Sequence, residues 1–362
     1  MKLGLFGYGT IGRGVYSLVD NLKKKYNLEM KKVFDLPAKR EILGDKLVCD
    51  INDIIFDEEI ETVVEALGGH DVPYQVISGC LKKGKNVITS NKEVVSMHLE
   101  EFLDIAHKNN CSFLFEASVG GGIPIIRSLI DNAKINEVND IYGIVNGTTN
   151  YILTKMADED LSFEEALELA KKNGFAEANP TADLEGLDGV RKINILSSLA
   201  YQGNISNDDI YHYGITGIDK NILELVKKEG YTLKFVASSH RDGNNCIIRV
   251  EPTMVPLGHP LSAVKNEFNA IMFTGSTNAE LSFYGKGAGS IPTASAIIAD
   301  LVSIVEKRSY IDYKNQNKLV VNKQTINPNE YYVIDRTGKA KFESNVTDEH
   351  LQAAKFYARV IK

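Results

Sequence analysis

The sequence predicts an α/β fold in two parts: a parallel sheet covered by helices, followed by an α+β region. Three observations carry this. Apolar, β-branched runs alternate with helically spaced segments as far as residue 134, the pattern of strands buried on both faces. A glycine-rich turn joins the first strand to the first helix. From about residue 135 that alternation gives way to a mixed order of strands and helices. A chain of 362 residues also exceeds one simple core, so two domains are expected.

The elements follow in order. Residues 2–6 are a short apolar strand, and "IGRGVYSLVDNLKKK" places Ile11, Val15, Leu18 and Leu22 at helical spacing. "MKKVFD" (30–35) reads as a second strand and "ETVVEALGG" (61–69) as a third. Pro73 then opens a helix running to Gly84. "KNVITSNK" (85–92) and "CSFLFEASVGGGIP" (111–124) repeat the strand-then-turn pattern. In the second part, "INEVNDIYGIVNGTTN" is a strand ending in a polar turn. Ser162 and Glu165 make a capping box for "SFEEALELAKKNG". Leu187, Val190, Ile193, Leu196 and Ala200 mark a buried helix face, and "NCIIRVEPTMVP" and "ELSFYGKGAG" read as strands. A helix over 290–307 closes the N-terminal domain. The expected boundaries are 1–134, 135–289 and a tail of unknown role, 311–362, with a strand–turn segment "EYYVIDRTGKAKF" and a helix capped at Thr347.

With 41 Lys+Arg against 48 Asp+Glu, the net charge of −7 argues against nucleic-acid or membrane-surface partners. No apolar run approaches the 18–20 residues or so that span a bilayer. The strand beginning at Lys2 leaves no room for a signal peptide, and four scattered cysteines read as reduced thiols, so a cytoplasmic protein is expected.

Two stretches carry chemistry. In "GYGTIG", Gly7 suits the tight turn, Gly9 lets a pyrophosphate approach the backbone, and Gly12 lets helix and strand pack closely. The free N–H groups of the helix start then favour phosphate, so the turn reads as a dinucleotide site. Asp35 lies at the end of the second strand, where an acid bonds the ribose hydroxyls of NAD and repels a 2′-phosphate. Lys39 and Arg40 follow closely and leave NADP open. The second stretch is "NPTADLEGLDGVRK" (179–192). On a helix, Asp188 and Lys192 share a face, which by itself describes a surface ion pair worth a few tenths of a kcal/mol. Glu177, Asp183, Gly186 and Gly189 crowd the same helix entrance.

"AKKNGFAEANPTADLEGLDGVRK" (170–192) resembles the signature of homoserine dehydrogenases. "GYGTIG", "SNK", "EASVGGGIPII", "NGTTNYIL" and "GKGAGSIPTASAIIADL" resemble further segments of that family in the same order, over roughly residues 1–310. The resemblance implies a Rossmann domain and a substrate and dimerisation domain, hence a homodimer. It implies reversible, NAD(P)-dependent interconversion of L-homoserine and L-aspartate 4-semialdehyde, a step toward threonine and methionine. Lys192 matches the catalytic lysine, whose pKa of about 10.4 must fall for it to act as a base. Lys92 matches a second lysine beside nicotinamide and substrate. Glu177, Asp188, Asp183 and Thr148 match substrate-site positions. Gly7, Gly9, Thr10, Ile11, Gly12, Asp35, Gly68, Gly174 and Gly289 match cofactor contacts. Glu116 with the carbonyls of Val119, Gly121 and Ile123 matches a sodium site, a hard-oxygen donor set. His70, after Gly-Gly, reads as a loop histidine.

The chain departs from the family at Phe34, where many members carry an arginine that grips a 2′-phosphate; this points toward NAD or toward weak discrimination between the two cofactors. The tail is too short for a complete regulatory ACT domain. Two other readings compete. A semialdehyde dehydrogenase forming an acyl thioester needs a nucleophilic cysteine with a base, and none of Cys49, Cys80, Cys111 or Cys246 lies in a recognisable site. A non-catalytic dinucleotide sensor has no use for the Glu177–Asp188–Lys192 set.

Overall fold

The structure is a computed structural model that describes residues 1–308, 317–322 and 327–361. The chain divides into two compact units. The first comprises Met1–Ile135, Gln202–Asn204 and Ala288–Gln316; the second comprises Asn136–Tyr201, Ile205–Gly287 and Asn317–Lys362.

The first unit is built on six strands: β1 (Lys2–Phe6), β2 (Glu29–Phe34), β3 (Leu47–Val48), β4 (Thr62–Glu65), β5 (Asn86–Thr89) and β6 (Phe113–Leu114). They lie in the order β3-β2-β1-β4-β5-β6, all parallel. Every residue of β4 is buried, as expected of a strand with helices over both faces. The order reverses between β1 and β4, and in such sheets the ligand crevice opens beyond the strand ends at that switch. The predicted late helix spans Ser290–Val305 and packs on the Thr10–Tyr26 helix. Gly14 sets their approach, since a Cβ there would lie 3.0 Å from the Cβ of Ala294.

The second unit is an antiparallel-dominated sheet. Its strands are β7 (Val138–Ile144), β8 (Tyr211–His212), β9 (Tyr231–Asp242), β10 (Asn245–Pro256), β11 (Phe268–Gly275), β12 (Glu280–Lys286), β13 (Val320–Val321), β14 (Asn327–Ile334), β15 (Ala340–Val346) and β16 (Phe356–Val360). The main path is β12-β11-β7-β9-β10-β16-β14-β15, with β8 and β13 also on β10. β9 and β10 are a long hairpin in register from Asn245↔Asp242 to Pro256↔Tyr231. The Leu187–Tyr201 helix packs on this hairpin at unusually short range, because a Cβ at Gly189 would stand 2.8 Å from Val250 Cγ1. The capping box appears as predicted, with Ser162 and Glu165 exchanging bonds at the start of the Phe163–Lys172 helix.

The segment read from sequence as a separate tail contributes β13 to β16 to this sheet. Tyr331, Val333, Val346, Leu351 and Tyr357 form its buried core. Beneath them Arg249 donates to Glu251 and Asp348, and the Tyr331 hydroxyl donates to Glu251. The predicted helix cap at Thr347 is present, its side chain accepting from the His350 N–H. Residues 309–316 and 323–326 of the tail lie outside the described residues. Among the described residues, no helix is long and apolar enough to cross a membrane.

Candidate active site

The glycine turn takes the form its spacing requires. Gly7 has φ +94°, and its N–H donates to the Phe34 carbonyl. A Cβ on Gly12 would stand 1.9 Å from the Gly7 oxygen, so no side chain fits there. A Cβ on Gly9 would meet nothing within 4 Å, which leaves the backbone open on the side a ligand would take. Gly9 is also the N-cap of the Thr10–Tyr26 helix, and no side chain caps that end. The N–H groups of Thr10 and Ile11 therefore open the helix, as an anion site needs. Asp35 braces the turn: its carboxylate accepts from the Tyr8 N–H at 2.5 Å and from the Leu36 N–H at 2.7 Å. Phe34 packs against Phe6 and presents no cation. These residues fit a dinucleotide.

The neighbouring switch-point loop is similarly open. Nothing would meet a Cβ on Gly68 within 4 Å. Glu65 just below is fully buried, its carboxyl pushed up to about 7 by burial. It accepts from the Leu67 N–H at 2.6 Å and from the Thr89 hydroxyl. Thr89 in turn accepts from Asn91, which caps the Lys92–Lys108 helix through the N–H groups of Glu93 and Val94. Lys92 is thus the first residue of a well-anchored helix. Gly289, with φ +112°, is the N-cap of the Ser290–Val305 helix.

Glu116 is buried, and burial raises its pKa. Its two oxygens accept the N–H groups of Ile126 and Arg127 at 2.8 and 3.0 Å, at the start of the Ile125–Ala133 helix. The carbonyl of Ile123 is engaged by the Ile125 N–H. Two residues on from Glu116, the Ser118 hydroxyl is buried with no partner among the described residues. Every donor atom here is an oxygen, the kind a hard monovalent cation takes, but both Glu116 oxygens and the Ile123 carbonyl already accept backbone N–H groups.

In the second unit the predicted charged residues converge. Lys192, on the Leu187–Tyr201 helix, donates to the Val145 carbonyl at 2.7 Å and to Asp188 Oδ2 at 2.8 Å. Both side chains are buried, 10% and 5% exposed, so this is not a surface ion pair. Asn146 joins the two acids: its Nδ2 donates to Asp183 Oδ1 and to Asp188 Oδ2, both at 2.7 Å. The same residue caps the Gly147–Glu159 helix, its Oδ1 accepting from the Thr149 N–H. Thr148 donates to the Phe175 carbonyl at 2.6 Å and to Asp183 Oδ2 at 3.2 Å. The sequence singles out Thr148 within "NGTTN" but not Asn146. The available signal was its place at a helix start, which suggests only a cap.

The structure does not bring every predicted residue into this network. Glu177 is exposed, and its carboxylate has no partner among the described residues. Gly174, with φ +75°, ends the Phe163–Lys172 helix with open space around it. Burial pushes the Cys80 thiol up to about 12 and those of Cys111 and Cys246 up to about 11, away from the thiolate a nucleophile needs.

Two family models match the chain: homoserine dehydrogenase over residues 124–302, and the homoserine dehydrogenase NAD-binding domain over residues 7–116. The chain belongs to the homoserine dehydrogenase family. It is 40% identical over 316 residues to the homoserine dehydrogenase of Bacillus subtilis, covering 84% of this chain and 73% of that protein. The crystal structure of a homoserine dehydrogenase from Thiobacillus denitrificans matches with a TM-score of 0.84 at 30% identity, over 92% of this chain and 82% of that one. The homoserine dehydrogenase of S. aureus matches at 0.84 and 28% identity, over 100% and 98% of the two chains. The likeness to the S. aureus structure therefore extends beyond the residues covered by the family models. This family's mixed α/β fold and dinucleotide-binding domain are the ones described above.

Proposed function

We propose that the chain interconverts L-homoserine and L-aspartate 4-semialdehyde with a nicotinamide dinucleotide, and that Lys192 carries the proton. The observation behind this is the setting of the Lys192 amine. An ammonium has three donors; two are held by Val145 and Asp188, and the third is left for a substrate oxygen. Oxidation removes the hydroxyl proton as hydride leaves the same carbon. Lys192, in its neutral form, takes that proton, and in reduction it returns it to the developing alkoxide. Asp188 stabilises the protonated amine, and Asn146 fixes Asp188. Asp183, Thr148 and the exposed Glu177 are assigned to the substrate, with carboxylate as partner to its ammonium. Lys92 is assigned a second amine role at the nicotinamide and substrate.

Gly7, Gly9, Thr10, Ile11, Gly12, Asp35, Gly68, Gly174 and Gly289 would hold the dinucleotide, whose nicotinamide supplies the hydride acceptor when bound. Asp35 and Phe34 favour NAD. Glu116, Val119, Gly121 and Ile123 would hold sodium. The protein is assigned as a homodimer through the second unit, which sedimentation velocity tests: a monomer at assay concentration removes that assignment.

The test of the function is initial-rate reduction of NAD and of NADP by L-homoserine. Turnover with a higher kcat/KM for NAD is expected, unaffected by thiol alkylation. A folded protein that binds cofactor yet turns over with neither would leave the sensor reading. Activity on a semialdehyde that alkylation abolishes would favour thioester chemistry.

A further inference from the structure

His70 and His98 are separated by 27 intervening residues and are not adjacent in any motif, yet their rings meet. His70 precedes the Asp71–Lys82 helix, just after Gly68 and Gly69. His98 lies within the Lys92–Lys108 helix, where its backbone leaves helical geometry at φ −130°, ψ 20°. Their Nε2 atoms stand 2.9 Å apart. Each ring is backed at Nδ1 by a carboxylate, His70 by Asp71 at 2.9 Å and His98 by Glu101 at 3.2 Å. The rings are held in place by aromatic neighbours. Tyr74 stacks on His70 and packs on His98, Phe102 packs on His98, and the Tyr74 hydroxyl fixes Glu101 at 2.7 Å.

Carboxylates only accept, so each Nδ1 carries its hydrogen and each neutral ring presents a lone pair at Nε2. Two lone pairs at 2.9 Å repel; something positive belongs between them. A carboxylate behind Nδ1 and a bare Nε2 in front is the arrangement of metal-ligating histidines, in which the outer carboxylate fixes the tautomer and raises the basicity of the ring. We propose that His70 and His98 form a site for a divalent transition-metal ion of the zinc class, bound through both Nε2 atoms and completed by water. With a Zn–N bond of about 2.05 Å and a tetrahedral opening, the nitrogens sit about 3.3 Å apart. A tilt of the two rings by a few tenths of an ångström reaches that from 2.9 Å. Charge also balances: a dication between two neutral rings offsets the two backing carboxylates, whereas one shared proton offsets a single charge. Among the described residues no three or more His, Cys, Asp and Glu side chains are arranged to hold one metal ion, and Asp71 and Glu101 face the Nδ1 atoms rather than the gap between the Nε2 atoms, so the protein supplies two ligands. Both rings are partly exposed, 32% and 24%, which gives ion and water access. A bound ion would tie the loop containing Gly68 to the helix that begins at Lys92.

The test is equilibrium dialysis of the full chain against zinc ion at neutral pH, with metal measured by mass spectrometry. One equivalent should be lost in His70→Gln and in His98→Gln alike. Asp71→Asn and Glu101→Gln should weaken that same equivalent by about 10–100-fold. Zinc on the exposed Cys49 is common to all variants and drops out of the difference. In unmodified protein, which removes any question of variant folding, zinc should move both Nε2 resonances together in an imidazole nitrogen NMR spectrum. Equal zinc content in wild type and both histidine variants, or Nε2 resonances that zinc leaves unmoved, would overturn the site and leave a proton as the bridge.

Discussion

Asn146 carries two jobs at once, and the chemistry assigned to Lys192 depends on both. Its amide spans Asp183 and Asp188 while its oxygen caps a helix. Without that amide, two close carboxylates lose their shared donor, and Asp188 is held less firmly beside Lys192. Asn146→Ala should therefore cost about 1–3 kcal/mol of stability by chemical denaturation and lower kcat, with cofactor affinity retained. Unchanged kcat would remove Asn146 from the mechanism. Glu65 offers a second prediction at this scale. Its folded pKa of about 7 lies above the ordinary carboxyl value of 4.5, so the folded state binds more protons between those values. The contribution of Glu65 to stability is therefore fully present below pH 4.5 and is lost as pH rises through 7. Glu65→Gln should lose that slope, gaining up to about 3 kcal/mol relative to wild type between pH 5 and 8. Parallel pH–stability curves for the two proteins would contradict it.

Among the elements, the close-packed ones were the most legible in the sequence and the long mixed strands the least. Gly7, Gly9 and Gly12 could be assigned separate steric roles from spacing alone, and the structure bears out those of Gly7 and Gly12. Ser162 and Glu165 announced a helix start because a capping box is local. β9 and β11 were not anticipated: β9 is buried without a break from Leu233 to Ser239, so it shows no period-two alternation. Asn146 was illegible as a site residue for a related reason. An amide does not titrate, and its partners lie 37 and 42 residues away. The His70–His98 contact likewise depends on two helices that neighbour each other only in space. Two substitutions test the packing argument. Gly189→Ala drives a Cβ into Val250 and should cost about 1–3 kcal/mol. Gly12→Ala should abolish dinucleotide binding, measured by calorimetry, because its Cβ overlaps the Gly7 carbonyl; undiminished affinity would contradict the assigned turn.

For the whole molecule, the final segment is structural. β16 pairs with β10 through Thr253↔Arg359 and Met254↔Val360, and Asp348 and Tyr331 each bond to the buried Arg249–Glu251 pair. Removing one side of such a buried ion network leaves charges without partners, at a cost of about 3–5 kcal/mol. A chain ending at residue 308 should therefore lose its cooperative thermal transition or aggregate on expression; a soluble product with the Tm of the full chain would show the segment to be dispensable. No local pattern revealed this role, because the partner strand lies about a hundred residues earlier.

The central claim is that Lys192 moves the proton. The direct measurement is the single-turnover rate of nicotinamide reduction by L-homoserine, at saturating cofactor and substrate, in wild type and Lys192→Ala. A rate about 10²–10⁴ times slower, with cofactor dissociation constants within experimental error of each other, is the predicted result. Equal single-turnover rates in the two proteins would contradict it.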